Sequence, residues 1–240
     1  MNLNGIKITW LGHGTFILQT PEGKKLLVDP WLENNPKCPK GFHETSANAI
    51  LMTHGHFDHI GDVFTAHLRC EGPIIGIFEL TSWLGKKGVA GSKLTGMNKG
   101  GTVKFDDLKI SVTMTNAHHS SSTEEKGSVV YLGEPAGFVV KFSNAMNIYI
   151  AGDTSIFGEM SLIKELHQPE VAILPFGDHF TMGPKSAALA CKLLGVKAAI
   201  PCHFGTFPLL TGTVDGFKAA LAELKLSVEV LTTEPGKTIA

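Results

Sequence analysis

The stretch Thr53-His54-Gly55-His56-Phe57-Asp58-His59 constrains this chain more than any other. It follows a short apolar run, Ala49 to Met52, whose length and composition predict a buried strand. Three of the eleven histidines and one carboxylate therefore leave the end of a strand together, and a helix is expected to start at Ile60-Gly61. Such loops carry the chemistry of α/β sheets. In an extended segment, side chains two residues apart point the same way, so His54 and His56 can converge on one ion. Asp58 and His59 come after the chain turns and can face a second point. A pair of transition-metal ions about 3.5–4 Å apart is a known hydrolytic arrangement, and mixed imidazole and carboxylate donors suit such ions.

Upstream, Ile6 to Leu11, Thr15 to Gln19 and Lys25 to Val28 read as a meander of three strands. His13 stands in the break Gly12-His13-Gly14, where it either lines a pocket or bonds within a turn. Asp29 follows a buried strand, where a carboxylate needs partners; it is placed to orient a ligand histidine. The polar loop 32–46 is long enough to overhang the site. Downstream, strands are expected at Pro73 to Phe78, Val103 to Phe105, Leu108 to Thr115, Gly137 to Phe142, Asn147 to Ile150, Val171 to Leu174, Ala198 to Pro201 and Ser227 to Leu231. Helices are expected at Asp62 to Arg69, Glu79 to Lys87, Gly158 to His167, Lys185 to Leu194 and Asp215 to Leu224. Ser120 to Pro135 reads as a mobile lid or hairpin whose serines are solvated.

Further donors recur at later strand ends: His118-His119, Asp153 after Gly152, and His203 after Cys202. Spacing does not choose between His118 and His119, because the register can slip at Asn116. Asp153 alone would serve equally as a helix N-cap. Asp178 and His179, beyond the strand ending at Leu174, are candidates for a cavity wall. Together these positions supply nitrogen and oxygen donors for two ions without a cysteine cluster.

The rest of the composition sets limits. A chain of 240 residues, 43% hydrophobic, fits a single domain over 1–240, built of two merged halves near 1–135 and 136–240. The net charge is −1 and Arg69 is the sole arginine, which excludes tight binding of duplex nucleic acid. Cys38, Cys70, Cys191 and Cys202 form no C-x-x-C pair and read as free thiols of a reducing cytosol. Residues 1–5 lack the charged and apolar regions of a signal peptide, and no apolar run approaches the length of a membrane span. A cytoplasmic location is the expectation.

The order of the motifs resembles the metallo-β-lactamase superfamily: H-x-H-x-D-H, a later histidine, Gly-Asp after a strand, and a late histidine. Trp10 to Thr15, Val28-Asp29-Pro30, Asn34-Asn35-Pro36, His119-Ser120-Ser121, Gly152-Asp153-Thr154 and Gly177 to Pro184 look like a family of small metal-dependent hydrolases akin to the ascorbate-phosphate lactonase branch. The resemblance implies an α+β fold, a four-layer αββα metallo-β-lactamase sandwich with a binuclear site at the sheet ends. It implies that His54, His56 and His119 hold one ion, that Asp58, His59 and His203 hold the other, and that Asp153 bridges them. His119 is chosen over His118 because the family places Ser directly after the ligand.

The implied activity is hydrolysis of an ester, lactone or phosphodiester in a small-molecule substrate, by a metal-bound hydroxide. Two divalent cations are expected, zinc first, with manganese, iron and nickel also compatible. Asp58, Asp153 and His179 are the expected catalytic residues. Asp58 orients the nucleophile, and His179 and His13 contact the substrate or leaving group. The alternatives are a di-metal nuclease or phosphodiesterase acting on short nucleic acid, and a di-iron redox protein. Redox members tend to replace cluster histidines with carboxylates, whereas this chain keeps them. The sequence is compatible with a homo-oligomer.

Overall fold

Short aliphatic and β-branched runs build two seven-stranded sheets in the computed structural model, which describes all residues 1–240. The first sheet opens with the antiparallel meander β1 (Lys7–Trp10), β2 (Phe16–Gln19) and β3 (Lys25–Val28). It continues with β4 (Ala49–Leu51), β5 (Ile74–Ile77) and β6 (Leu94–Met97), all parallel to β3. Helices α1 (Phe57–Ile60) and α2 (Val63–Ala66) connect β4 to β5, and α3 (Phe78–Lys86) connects β5 to β6.

The second sheet repeats this scheme. Strands β7 (Thr102–Phe105) and β8 (Ile110–Asn116) come first, followed by a separate hairpin of β9 (Ser122–Glu125) and β10 (Ser128–Tyr131). Strands β11 (Ala136–Phe142) and β12 (Asn147–Ile150) extend the sheet antiparallel. Helix α4 (Met160–His167), β13 (Val171–Pro175), α5 (Pro184–Leu194), β14 (Ala198–Cys202), α6 (Val214–Glu223) and β15 (Glu229–Val230) then form parallel crossovers. The last strand, β16 (Thr238–Ile239), returns to the first sheet and pairs with β1.

Side-chain alternation sorts the second sheet into two faces. Phe138, Val140, Ile148, Ile150 and Ile173 join the core shared with the first sheet, among them Ile8, Leu18, Leu26 and Ile50. The residues between them, Val139, Tyr149, Ala172 and Leu174, face a second core formed with Met160, Ala187, Leu194 and Phe217 of the helices. This is the expected sandwich of two sheets with outer helices. No helix is long and apolar enough to cross a membrane.

Strand direction decides where the chemistry goes. Strands β1, β3 and β4 point the same way in the first sheet, as do β8, β12, β13 and β14 in the second. His13, Asp29, the 53–59 loop, His118-His119, Asp153, the 176–180 loop and His203 each follow the C-terminal end of one of these strands.

Several expectations need correction. Helix α1 starts at Phe57, not at Ile60-Gly61, with His56 in extended conformation just before it. Strands β6 and β16 were not expected, and the chain passes between sheets at 97–102 rather than near 135. The 32–46 loop does not overhang the site. Asp62 accepts the Leu32 amide, and buried Asn35 bonds to the Gly12 and Trp31 carbonyls, which clamps the loop down. The serines after His119 are not all solvated, since Ser121 is buried and its Oγ accepts the Gly55 amide at 3.1 Å.

Candidate metal centre

Asp29 is the hub on which the first donors are set. Its backbone takes the left-handed conformation, φ 47°, which turns the carboxylate under the 53–59 loop. Oδ1 accepts the Thr53 amide at 2.7 Å, and Oδ2 accepts the Thr53 hydroxyl at 2.6 Å and His59 Nδ1–H at 2.8 Å. The Thr53 hydroxyl proton is thus committed to Asp29, so Thr53 Oγ1 accepts from His54 Nδ1, 3.0 Å away. One buried carboxylate therefore sets both His54 and His59 in the tautomer whose Nε2 lone pair is free.

His54, His56 and His119 each place one ring nitrogen within 4.8 Å of the others. His54 Nε2 and His56 Nδ1 lie 3.0 Å apart, as the extended backbone at 54–56 predicts. His56 Nε2 faces the Ser120 hydroxyl at 3.3 Å. His118 turns away and stacks on Phe157, 4.8 Å between ring centres.

His13, Asp58, His59 and His203 form a second group of the same dimensions. Asp153 lies between the groups. Its Oδ2 is 3.6 Å from His119 Nε2, 3.4 Å from His59 Nε2 and 2.9 Å from His203 Nε2. Gly152, with φ 62° and no room for a Cβ beside Thr53 and the Ala136 carbonyl, makes that placement possible. His59 Nε2 and both ring nitrogens of His203 are buried without an aligned hydrogen-bond partner. Buried imidazole nitrogens are normally satisfied, and a cation among them would supply what they lack. The donor set is nitrogen and carboxylate oxygen at separations a first-row divalent ion can span, so these residues fit the expected metals.

Electrostatics point the same way. Burial opposes charge on His59, but Asp153 and Asp29 outweigh it and raise its pKa well above the imidazole value. Burial likewise opposes ionisation of Asp153, but His203 and His59 hold it well below the carboxylate range. The pocket thus favours positive charge beside an ionised Asp153. Burial pushes His54, His56 and His119 down, leaving neutral rings able to donate lone pairs.

His13 is fully buried and does not reach the cavity, contrary to its expected contact with substrate. Burial lowers its pKa to about 4, against the pull of Asp58. Burial tends to raise the Asp58 pKa, but the His13 hydrogen bond overrides it and brings it to about 2. Neutral His13 therefore donates from Nε2 to ionised Asp58 at 3.0 Å and accepts the Thr206 hydroxyl on Nδ1 at 3.0 Å.

His179 and Asp178 also fall outside the cavity. Both take left-handed backbone, φ 58° and 67°, in a tight turn where the His179 amide donates to Asp178 Oδ1 at 2.8 Å. That turn exposes both side chains and presents Phe180 to the cavity instead. The expected catalytic contact of His179 is not what the structure places there.

The cavity itself measures about 650 Å³. His56, Asp58, His119, Asp153 and His203 form its floor, with Ser120 beside them. Phe57, Phe180, Phe207, Pro208 and Leu209 form its walls; Phe57 and Phe180 lie in the motif stretches 53–59 and 177–184, but none of the five is expected from the sequence as a lining residue. A signal existed at 205–210, where Gly-Thr-Phe-Pro-Leu-Leu puts apolar residues into a turn-rich connection.

Comparison with known proteins bears on the family and the fold. Residues 24–204 match the model of the β-lactamase superfamily domain. A protein of Herpetosiphon aurantiacus named UPF0173 metal-dependent hydrolase is 44% identical over 96% of this chain and 95% of its own. A like-named protein of Koribacter versatilis is 46% identical over 99% of both chains. Among solved structures, a metallo hydrolase from the hyperthermophilic archaeon Ignicoccus hospitalis superposes with a TM-score of 0.85 at 32% identity, covering 98% of this chain and 97% of that one.

Proposed function

Since the chain belongs to the metallo-β-lactamase superfamily and to its metal-dependent hydrolases, we propose that its two donor groups hold two divalent cations and cleave an ester, lactone or phosphodiester bond. His54, His56 and His119 would hold one ion, and Asp58, His59 and His203 the other, with Asp153 shared between them. The observation that carries this reading is the position of Asp153 Oδ2, within 3.6 Å of a ring nitrogen from each group.

When bound, the cations would lower the pKa of water and polarise the scissile group. The protein's own residues do the rest. Asp29 and Thr53 keep His54 and His59 in their donor tautomers. Asp58, ionised and fixed through Oδ2 by His13, keeps Oδ1 free of protein hydrogen bonds and can orient the attacking water. One water is consumed for each bond: its hydroxyl joins the acyl or phosphoryl centre, and its proton leaves with the departing oxygen. The walls are all apolar, so polar contacts to the scissile group come from the floor.

Metal analysis of the purified protein, joined to a screen of lactones, thioesters, carboxylic esters and bis-p-nitrophenyl phosphate, tests this reading. Close to two equivalents of zinc, manganese, iron or nickel and turnover of at least one class are expected. One equivalent or fewer at saturation would remove the binuclear assignment.

A further inference from the structure

The hydrolase reading accounts for the floor of the cavity and leaves its walls unexplained. Phe57, Phe180 and Leu209 are 63%, 49% and 51% exposed, yet all three stand around this one opening. They arrive from three different segments: the first turn of α1, the loop after β13 and the loop after β14. Apolar side chains exposed singly need no explanation, but a cluster at the mouth of a cavity marks a binding surface. The wall is also backed from within. Buried Trp31 lies 5.9 Å from the Phe57 ring and 6.0 Å from that of Phe207.

The cavity lining holds no lysine and no arginine. Arg69, the sole arginine, is engaged with the His43 carbonyl instead. A phosphate or carboxylate appended to the substrate would therefore find neither a guanidinium fork nor an ammonium group in these walls.

We propose that the substrate carries an uncharged, apolar arm that lies between Phe57, Phe180 and Leu209 while the scissile bond sits over Asp153. This rests on the hydrolase reading and narrows it, removing substrates whose non-reacting part is charged, such as nucleotides and sugar acids.

The test uses p-nitrophenyl esters from acetate to decanoate with the metal-loaded protein. KM should fall about fourfold for each methylene that becomes buried between the walls. Phe180→Ser and Leu209→Ser should flatten that series. Leu166→Ser, on α4 and 75% exposed outside the cavity, should keep it. A second readout needs no turnover: octanohydroxamate should bind at least tenfold more tightly than acetohydroxamate by calorimetry. A KM independent of chain length, equal binding of the two hydroxamates, or preferred turnover of an ester whose acyl arm ends in a carboxylate over its methyl-ended analogue would each overturn the proposal. If octanohydroxamate binds more tightly but no ester, lactone or phosphodiester is cleaved, the apolar arm stands and the hydrolase reading falls.

Discussion

Asp29 touches none of the cavity yet governs both donor groups, through Thr53 to His54 and directly to His59. All three of its hydrogen-bond partners are donors, so an amide in its place must point an N–H₂ at one of them. Asp29→Asn should therefore weaken metal binding at both positions, by about 10–100-fold as lost orienting partners of metal ligands do. Competition for zinc against a chelator measures this; loss confined to one equivalent would contradict a shared hub. Asp153→Ala acts differently, removing the one oxygen common to both groups. Hydrolysis should drop by more than about a hundredfold while the circular dichroism of the fold is retained, and full activity would refute the shared position. The sequence made Asp153 legible only in company, since alone it reads equally as a helix cap. His179 shows the opposite case. Its neighbours suggested a site, but two successive left-handed residues turn it out of the cavity, and backbone sign is not written in side-chain type.

At the scale of elements, the helices after Gly158 and Gly183 and most strands were readable, because apolar period and glycine or proline punctuation agree there. What escaped was short or formed at long range. Strand β16 has two residues and exists only because β1 lies across from it. Helix α1 holds one turn, and its apolar content is a single isoleucine and an exposed phenylalanine, too little to show a period. The junction of β13 and β14 escaped for a related reason. At Gly177 a Cβ would stand 1.9 Å from the His203 carbonyl, so the two strand ends can approach only because residue 177 has no side chain. Gly177→Ala must push His203 away from Asp153 or unseat β13. Overpacking of this kind costs about 1–3 kcal/mol. We expect a lowered melting temperature together with a larger fractional loss of metal affinity than in Gly158→Ala, where the added methyl meets nothing. Equal behaviour of the two variants would show that the contact does not position His203.

For the molecule as a whole, the four cysteines report how completely the two sheets and their helices close. Cys38, Cys70, Cys191 and Cys202 are all buried and unpaired, one or more in each core. Burial raises each thiol pKa, that of Cys191 to about 12 from 9.0. A raised folded-state pKa means the fold prefers the protonated thiol. That contribution is complete below pH 9, where the unfolded thiol is also protonated, and is lost as pH climbs from 9 toward 12. At pH 10 the unfolded chain gains about 1.4 kcal/mol from ionising Cys191, a gain the folded protein cannot match. Cys191→Ala removes that term and leaves only a pH-independent cavity cost. Urea unfolding of the metal-free protein should therefore show the wild type losing about 1.4 kcal/mol more than the variant between pH 7 and pH 10. Parallel pH curves for the two would mean that the Cys191 thiol is open to solvent, and that the core between β13, β14 and α5 is looser than its packing indicates.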